Sequence, residues 1–346
     1  MTRIAVFGLG HVGRALLRSF HRVRGQPRLV LAADGQGWFA GDALDPHDVL
    51  RRKAARQYDG PRAHGDAGAL LDRARPDLHV ELTPTDLETG SPAVDDVHAA
   101  LARRIPVVTA AKSHQRSREV LRATLDLARG LPFLDHAATL AGIPATEMVT
   151  GLGMEVTRIE GVLNGTTNFM LKRLGEGTSF EDALREAIDR GFAERNWRYD
   201  LEGLDVAVKL VGLTRHLTGE LIGATDATLL GAPELGLSRG IVGVTPELVR
   251  DLAARGQKLK LVGEVVRDEQ GLRASVGPRV LAATDPFAQV DGFQNAVKLE
   301  GRMNDTRMEL FLRGPGAGAD ETASRVLGNL NHLIEILAWT APEARA

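Results

Sequence analysis

Three glycines at the head of the chain and a lysine–aspartate pair in its second half are residues whose types and spacing could do chemistry. Gly8, Gly10 and Gly13 stand as G-x-G-x-x-G, with His11 and Val12 completing the turn. Such a turn serves a dinucleotide when it joins a strand to a helix. The first glycine permits a tight bend, the second lets backbone approach a pyrophosphate, and the third lets helix and strand pack closely. The N–H groups that open the helix then face the phosphates. Asp34 follows the next apolar run, 21 positions after Gly13. A carboxylate there can bind ribose hydroxyls and disfavour a 2′-phosphate. In the turn-like segment Asp34-Gly35-Gln36-Gly37 it can equally serve the chain turn alone. Asp205 and Lys209 are four residues apart, which on a helix stacks both on one face. They flank the apolar stripe Leu201, Leu204, Val208 and Val211, where a lysine at the edge of buried surface can present a proton to a substrate oxygen. An ordinary exposed ion pair, worth about 0.3–0.5 kcal/mol, fits the same spacing.

Composition removes whole classes of chemistry. The 346 residues contain no cysteine. Disulfides, thiolate metal sites, iron–sulfur clusters and thiol nucleophiles are excluded, and with them aldehyde oxidation through a thioester. Direct hydride transfer between alcohol and carbonyl stays open. A formal net charge of -2 gives no field for nucleic acid or an anionic membrane. The ten histidines show no transition-metal spacing. The opening apolar run is too short for a signal peptide, and no stretch approaches the ~20 apolar residues of a membrane span. A cytoplasmic protein with a small-molecule partner is expected.

The elements that must position these residues follow from pattern. Ile4–Phe7, Arg28–Ala33, Leu78–Leu82 and Pro106–Val108 read as strands, alternating with helices such as Pro92–Arg104 and Glu119–Arg129. That order implies βαβ units and a mostly parallel, Rossmann-type sheet. Past Asp135 the pattern changes. A strand at Val156–Leu163 is followed by helices near Thr167–Leu174, Phe180–Arg190 and Leu204–Leu217. Gly223–Gly236 is loop-prone, a helix spans Pro246–Ala254, and strands fall at Leu259–Val266, Val297–Gly301 and Met308–Leu312 before a closing helix at Ala319–Leu337. The expected class is α/β: a nucleotide-binding domain over 1–134, completed by 319–346, and an α+β substrate and dimerisation domain over 135–318.

Five segments together resemble the homoserine dehydrogenase family. They are Glu81-Leu82-Thr83-Pro84-Thr85 with Thr89-Gly90, Val107–Lys112, Gly161–Phe169 around Asn164-Gly165-Thr166-Thr167-Asn168, the run from Gly191-Phe192-Ala193-Glu194 through Asp200–Asp205 to Lys209, and Asn295-Ala296 with Gly314–Gly318. They span nearly the whole chain in the family's order. The resemblance implies NAD- or NADP-dependent reduction of aspartate semialdehyde to homoserine in threonine and methionine biosynthesis, by a homodimer. It casts Lys209 as the proton donor, with Asp205 binding substrate and orienting it. Glu194 would hold the substrate amino group and lie near the nicotinamide, with Gly191 as a further cofactor contact and Asp200 as a second acidic contact. Thr166 and Asn164 would line the substrate pocket. Lys112 would draw the carbonyl oxygen or the substrate carboxylate. Thr83 and Pro84 would form the turn beside the nicotinamide, and Gly316 would let backbone approach the cofactor. Some members of the family carry a further regulatory domain; with the sequence ending at Ala346, none is expected here.

Three departures stand out. Ala111 replaces the asparagine that precedes the family lysine. His136 replaces a glutamate in a loop that in the family can hold a monovalent cation such as sodium, leaving the carbonyls of Thr139, Ala141 and Ile143 as ligands. Asn196-Trp197 replaces Asp-Pro, so Trp197 either adds bulk at the substrate mouth or simply packs. Two rival functions remain at this level: a related oxidoreductase on another small amino alcohol or aldehyde, and a nicotinamide-binding sensor without turnover.

Overall fold

Alternation of apolar side chains builds the first sheet. In β1 (Arg3–Phe7), Ile4 and Val6 enter one apolar cluster while Ala5 and Phe7 enter another, as in a strand buried on both faces. The computed structural model describes every residue except His64, Gly191, Glu194, Arg195, Gln270, Ala317 and 341–346. The chain forms two units, Met1–Ala141 with Gly318–Ala346, and Gly142–Ala317.

In the first unit β1 is joined by β2 (Arg28–Ala33), β3 (Gly37–Leu44), β4 (Gly60–Pro61), β5 (Leu78–Glu81), β6 (Val107–Thr109) and β7 (Phe133–Leu134), in the order β4-β3-β2-β1-β5-β6-β7. β2, β1, β5, β6 and β7 run parallel; β3 and β4 are antiparallel additions. The helices are α1 (His11–Arg18), α2 (Pro46–Ala54), α3 (Ala67–Ala74), α4 (Ala93–Ala102), α5 (Arg118–Leu127) and the short α6 (His136–Thr139). α1 and the last helix of the chain, Ala319–Thr340, pack on the Ile4 and Val6 face through residues such as Leu16, Val326 and Leu330. α3 and α4 cover the Phe7 face. The sequence does not announce β3. Its run Gly-Trp-Phe-Ala-Gly-Asp-Ala-Leu has two glycines and buries little beyond Phe39, so pairing with β2 rather than propensity makes it a strand.

The second unit contains α7 (Ala145–Leu152), β8 (Glu155–Val162), α8 (Gly165–Gly175), α9 (Phe180–Asp189), α10 (Arg198–Leu201), α11 (Leu204–Thr218), β9 (Thr228–Leu229), α12 (Pro246–Ala254), β10 (Gln257–Asp268), β11 (Gly271–Ala282), β12 (Gln294–Met303) and β13 (Thr306–Pro315). The strands form one sheet in the order β13-β12-β8-β10-β11-β9. β8 lies inside it, antiparallel to both β10 and β12. Asn164, Ser179 and Thr245 cap α8, α9 and α12, each side chain accepting from a backbone N–H of the first turn. Val206, Ala207, Val208, Leu210, Val211 and Leu213 of α11 are fully buried. Gly263 of β10 lets this helix sit close, since a Cβ there would come within 2.5 Å of Val206. Among the described residues no helix is long and apolar enough to cross a membrane.

Candidate functional site

The glycine turn joins β1 to α1, and its three glycines have different reasons. Gly8 has φ +92°, and a Cβ there would lie 2.2 Å from the Leu82 carbonyl carbon. At Gly13 a Cβ would lie 2.0 Å from the Gly8 oxygen. These two are demanded by the fold. Gly10 has φ -72° and nothing within 4 Å of where its Cβ would be. The open space beside it suits close approach of a pyrophosphate. α1 starts here with no capping side chain and no acid in its first turn, so the N–H groups from His11 to Gly13 are not claimed by a side-chain cap. The turn fits a dinucleotide.

Asp34 follows β2 and is buried. Its Oδ1 accepts from the N–H groups of Gln36 (2.8 Å) and Gly37 (3.2 Å). Its Oδ2 meets Lys53 Nζ and accepts from the Tyr58 hydroxyl at 3.1 Å. Burial pushes the carboxyl up, but Lys53 and the two N–H groups outweigh it and hold the pKa below its ordinary value. Oδ1 already serves the β2–β3 turn, Oδ2 is engaged by Lys53 and Tyr58, and Lys53 offsets the charge. Nothing in the spacing of the sequence singled out Lys53 or Tyr58.

Thr83 and Pro84 follow β5, and Lys112 follows β6. With Gly8–Gly13 after β1 and Asp34 after β2, they share the carboxyl edge of the parallel strands, where open α/β sheets receive ligands. The loops are tied together: Lys112 N donates to Thr85 Oγ1 (3.1 Å), and Asp86 N donates to Ser113 Oγ (2.9 Å). Behind Lys112, buried Asp135 binds His114 Nε2 (2.8 Å) and Gln115 Nε2 (3.2 Å). Glu81 lies fully buried below Thr83 and binds its N–H at 2.8 Å. Burial raises its pKa to about 7, against the pull of Thr83 and Arg62. Burial likewise lowers His79 to about 4 and raises Asp96 to about 6. The segment of the possible cation loop opens with His136 in α6. Thr139 is buried and donates its hydroxyl to the Asp135 carbonyl at 3.3 Å. Ala141 ends the first unit and Ile143 belongs to the second. No group of three His, Asp or Glu side chains that could hold a metal ion occurs among the described residues.

In the second unit Asn164 is the organiser. It follows β8, is buried, and caps α8 by accepting from Thr167 N–H (2.9 Å), which leaves its amide NH2 to donate elsewhere. That amide donates to Asp200 Oδ1 at 2.7 Å and to Asp205 Oδ2 at 2.9 Å. The same Asp205 oxygen lies 2.8 Å from Lys209 Nζ, which also donates to the Leu163 carbonyl at 2.6 Å. Lys209 is only 7% exposed, so the pair is not an ordinary exposed ion pair. Asp205 sits in the first turn of α11, where a carboxylate is favoured by the helix dipole. Thr166 donates its hydroxyl to the Phe192 carbonyl (2.7 Å), tying α8 to the segment that precedes Glu194. Glu194 and Gly191 themselves lie outside the described residues. Trp197 packs edge-on against Phe180 with Arg198 over its ring. Gly316 has a local reason to be glycine: a Cβ would lie 2.1 Å from the Asn295 side chain.

Comparison with known proteins now adds to this geometry. The family profile of homoserine dehydrogenase matches residues 146–330. A homoserine dehydrogenase of Methanocaldococcus jannaschii is 33% identical, over 95% of this chain and 98% of that protein. An NAD(+)-dependent homoserine dehydrogenase of Pseudomonas canavaninivorans is 27% identical, over 96% of each. The crystal structure of a homoserine dehydrogenase from Thiobacillus denitrificans matches with a TM-score of 0.77 and 28% identity, covering 100% of this chain and 75% of that one. With a cluster of Asn164, Asp200, Asp205 and Lys209 in the second unit and a dinucleotide turn in the first, this chain belongs to the homoserine dehydrogenase family.

Proposed function

We propose the following division of labour for the homoserine dehydrogenase reaction, the reversible reduction of L-aspartate 4-semialdehyde to L-homoserine. The observation that carries it is that the Asn164 amide joins Asp200 to Asp205, and Asp205 in turn engages Lys209. Reduction places a hydride on the aldehyde carbon and a proton on its oxygen. The nicotinamide cofactor supplies the hydride. Lys209 gives the proton in reduction and takes it back in oxidation. Asp205 keeps the ammonium of Lys209 oriented, and Asp205 and Asp200 with Glu194 attract the substrate ammonium. Thr166 lines the pocket. Lys112 supplies positive charge to the carbonyl oxygen or the substrate carboxylate. Gly8, Gly10, His11, Val12 and Gly13 cradle the pyrophosphate, the Thr83–Pro84 turn meets the nicotinamide, and Gly191 and Gly316 contribute backbone nearby.

For the cofactor we propose NAD ahead of NADP. The ionised Asp34 stands where a 2′-phosphate would bring further negative charge, although Lys53 offsets part of the repulsion. The carbonyls of Thr139, Ala141 and Ile143, beside His136 rather than a carboxylate, offer a sodium ion a weakened site. We take a homodimer from the family. Steady-state oxidation of homoserine, with NAD or NADP and with or without sodium, tests these points together. The expected result is a higher kcat/KM with NAD and little response to sodium. Oxidation of other amino alcohols as fast as homoserine would sink the substrate assignment. A sedimentation measurement giving a monomer would sink the dimer.

A further inference from the structure

β5 places Leu78 and Val80 in the apolar core, and His79 and Glu81 alternate with them. All four are fully buried. A carboxyl without solvent is retained only where it has partners, and the roles above leave Glu81 unused. Its Oε1 accepts from both donors of Thr83, the N–H at 2.8 Å and the hydroxyl. Its Oε2 meets His79 Nε2 at 3.1 Å. The same turn is backed by β1: Leu82 N donates to the Phe7 carbonyl (2.7 Å), and Gly8 leaves no room for a Cβ against Leu82 and Thr83. Backbone grips the turn on one side and the Glu81 side chain on the other.

We infer that Glu81 is a positioning residue for hydride transfer: by accepting from both donors of Thr83 it fixes the Thr83–Pro84 turn where that turn meets the nicotinamide ring. The inference rests on the proposed contact between that turn and the nicotinamide. The charged and titratable groups around Glu81 are His79 on its own strand, Asp96 on α4, and Arg62. Arg62 is engaged by Asp96 at 2.5 Å and Asp66 at 3.4 Å, and its guanidinium lies over the Phe7 ring. None of these three donates to Thr83, so the hold on the turn belongs to Glu81.

The test compares Glu81→Met, Glu81→Gln, Thr83→Val and the double variant Glu81→Met/Thr83→Val in the full-length enzyme, with homoserine carrying hydrogen or deuterium at C4. Met fills the space without an acceptor; Gln keeps an acceptor for Thr83 and can donate to His79. Glu81→Met is expected to lower kcat roughly 10- to 100-fold and to raise the deuterium isotope effect. Its dinucleotide Kd should stay within about twofold of wild type. Glu81→Gln should recover most of the loss, and the double variant should be no worse than Glu81→Met alone. A Glu81→Met enzyme as fast as wild type, equal impairment by Met and Gln, or additive effects would overturn the inference. Should Glu81→Met not fold, Thr83→Val decides: it must lower kcat and raise the isotope effect, and unchanged values overturn the inference. The methyl resonance of Thr83, followed by NMR during NAD titration, separates the two layers. No shift removes the nicotinamide contact and the inference with it; a shift with unchanged isotope effects in the variants overturns the inference alone.

Discussion

Lys209 holds its ammonium between the Asp205 carboxylate and the Leu163 carbonyl, which fixes its orientation. Lys209→Ala should lower kcat by about 10²- to 10⁴-fold while leaving dinucleotide binding almost intact; steady-state rates and a fluorescence titration with NADH check this. Loss of cofactor binding in parallel would mean that the lysine is structural. Asn164 is the second test at this scale. Its amide satisfies two carboxylates at once. Asn164→Asp should place a third acid there and raise the KM for homoserine, whereas an unchanged KM would show that the amide bridge has no part in substrate binding. These roles were legible unevenly. The four-residue spacing of Asp205 and Lys209 suggests a shared helical face, but only the tertiary structure shows that the pair is largely buried rather than solvated. That Asn164 joins Asp200 and Asp205 required segments 36 and 41 residues apart to meet.

At the scale of elements, the β1–turn–α1 unit makes a sharp distinction among its glycines. Gly13→Ala would drive a methyl group into the Gly8 carbonyl and should cost about 1–3 kcal/mol or more. Gly10→Ala meets no protein atom and has an ordinary φ. It should keep the melting temperature of the wild type yet weaken dinucleotide binding by about tenfold, through a lost close approach. Calorimetry beside a binding titration resolves the two variants. If Gly10→Ala bound cofactor normally, the open space beside it would not be the pyrophosphate site. The strand–turn–helix context of this motif was readable because a short continuous apolar run, Ile4–Phe7, gives way within a few residues to helical spacing at Val12, Leu16 and Phe20. β3 and β11 were not readable. β3 is poor in strand formers, and β11, twelve residues long, alternates only weakly while pairing with β10 along its whole length. Both depend on a partner strand for their hydrogen bonds.

At the scale of the whole molecule, buried ionisable groups make stability depend on pH. Glu81 is raised from 4.5 to about 7 and Asp96 from 3.8 to about 6. Each contributes stability in its protonated form below its unfolded pKa, and that contribution is lost as pH rises through the folded pKa. His79, lowered from 6.5 to about 4, acts in the opposite sense between those values. Two acids against one imidazole leave a net loss of stability as pH rises from 4.5 toward 7. Glu81→Gln removes one of the acids. Its stability relative to wild type should therefore rise across that window by up to roughly 3 kcal/mol. Urea unfolding of both proteins at a series of pH values measures it, and parallel curves would show that Glu81 titrates alike in folded and unfolded chains.

The sequence by itself determined the family-level chemistry. An absence of cysteine closed the thioester route, the glycine spacing between a strand and a helix pointed to a dinucleotide turn, and the substrate followed from the resemblance of segments such as Asn164-Gly165-Thr166 and Asp205–Lys209 to the homoserine dehydrogenase family. Such features are local, because a turn, a cap or a helical face involves neighbours along the chain. What only the tertiary structure decided is non-local. Lys53 and Tyr58 meet Asp34 across 19 and 24 residues. Arg62 reaches Asp96 across 34, and Gly8 is closed by Leu82. Burial converts those meetings into shifted protonation and fixed turns, and burial is set by how strands and helices stack rather than by any single segment.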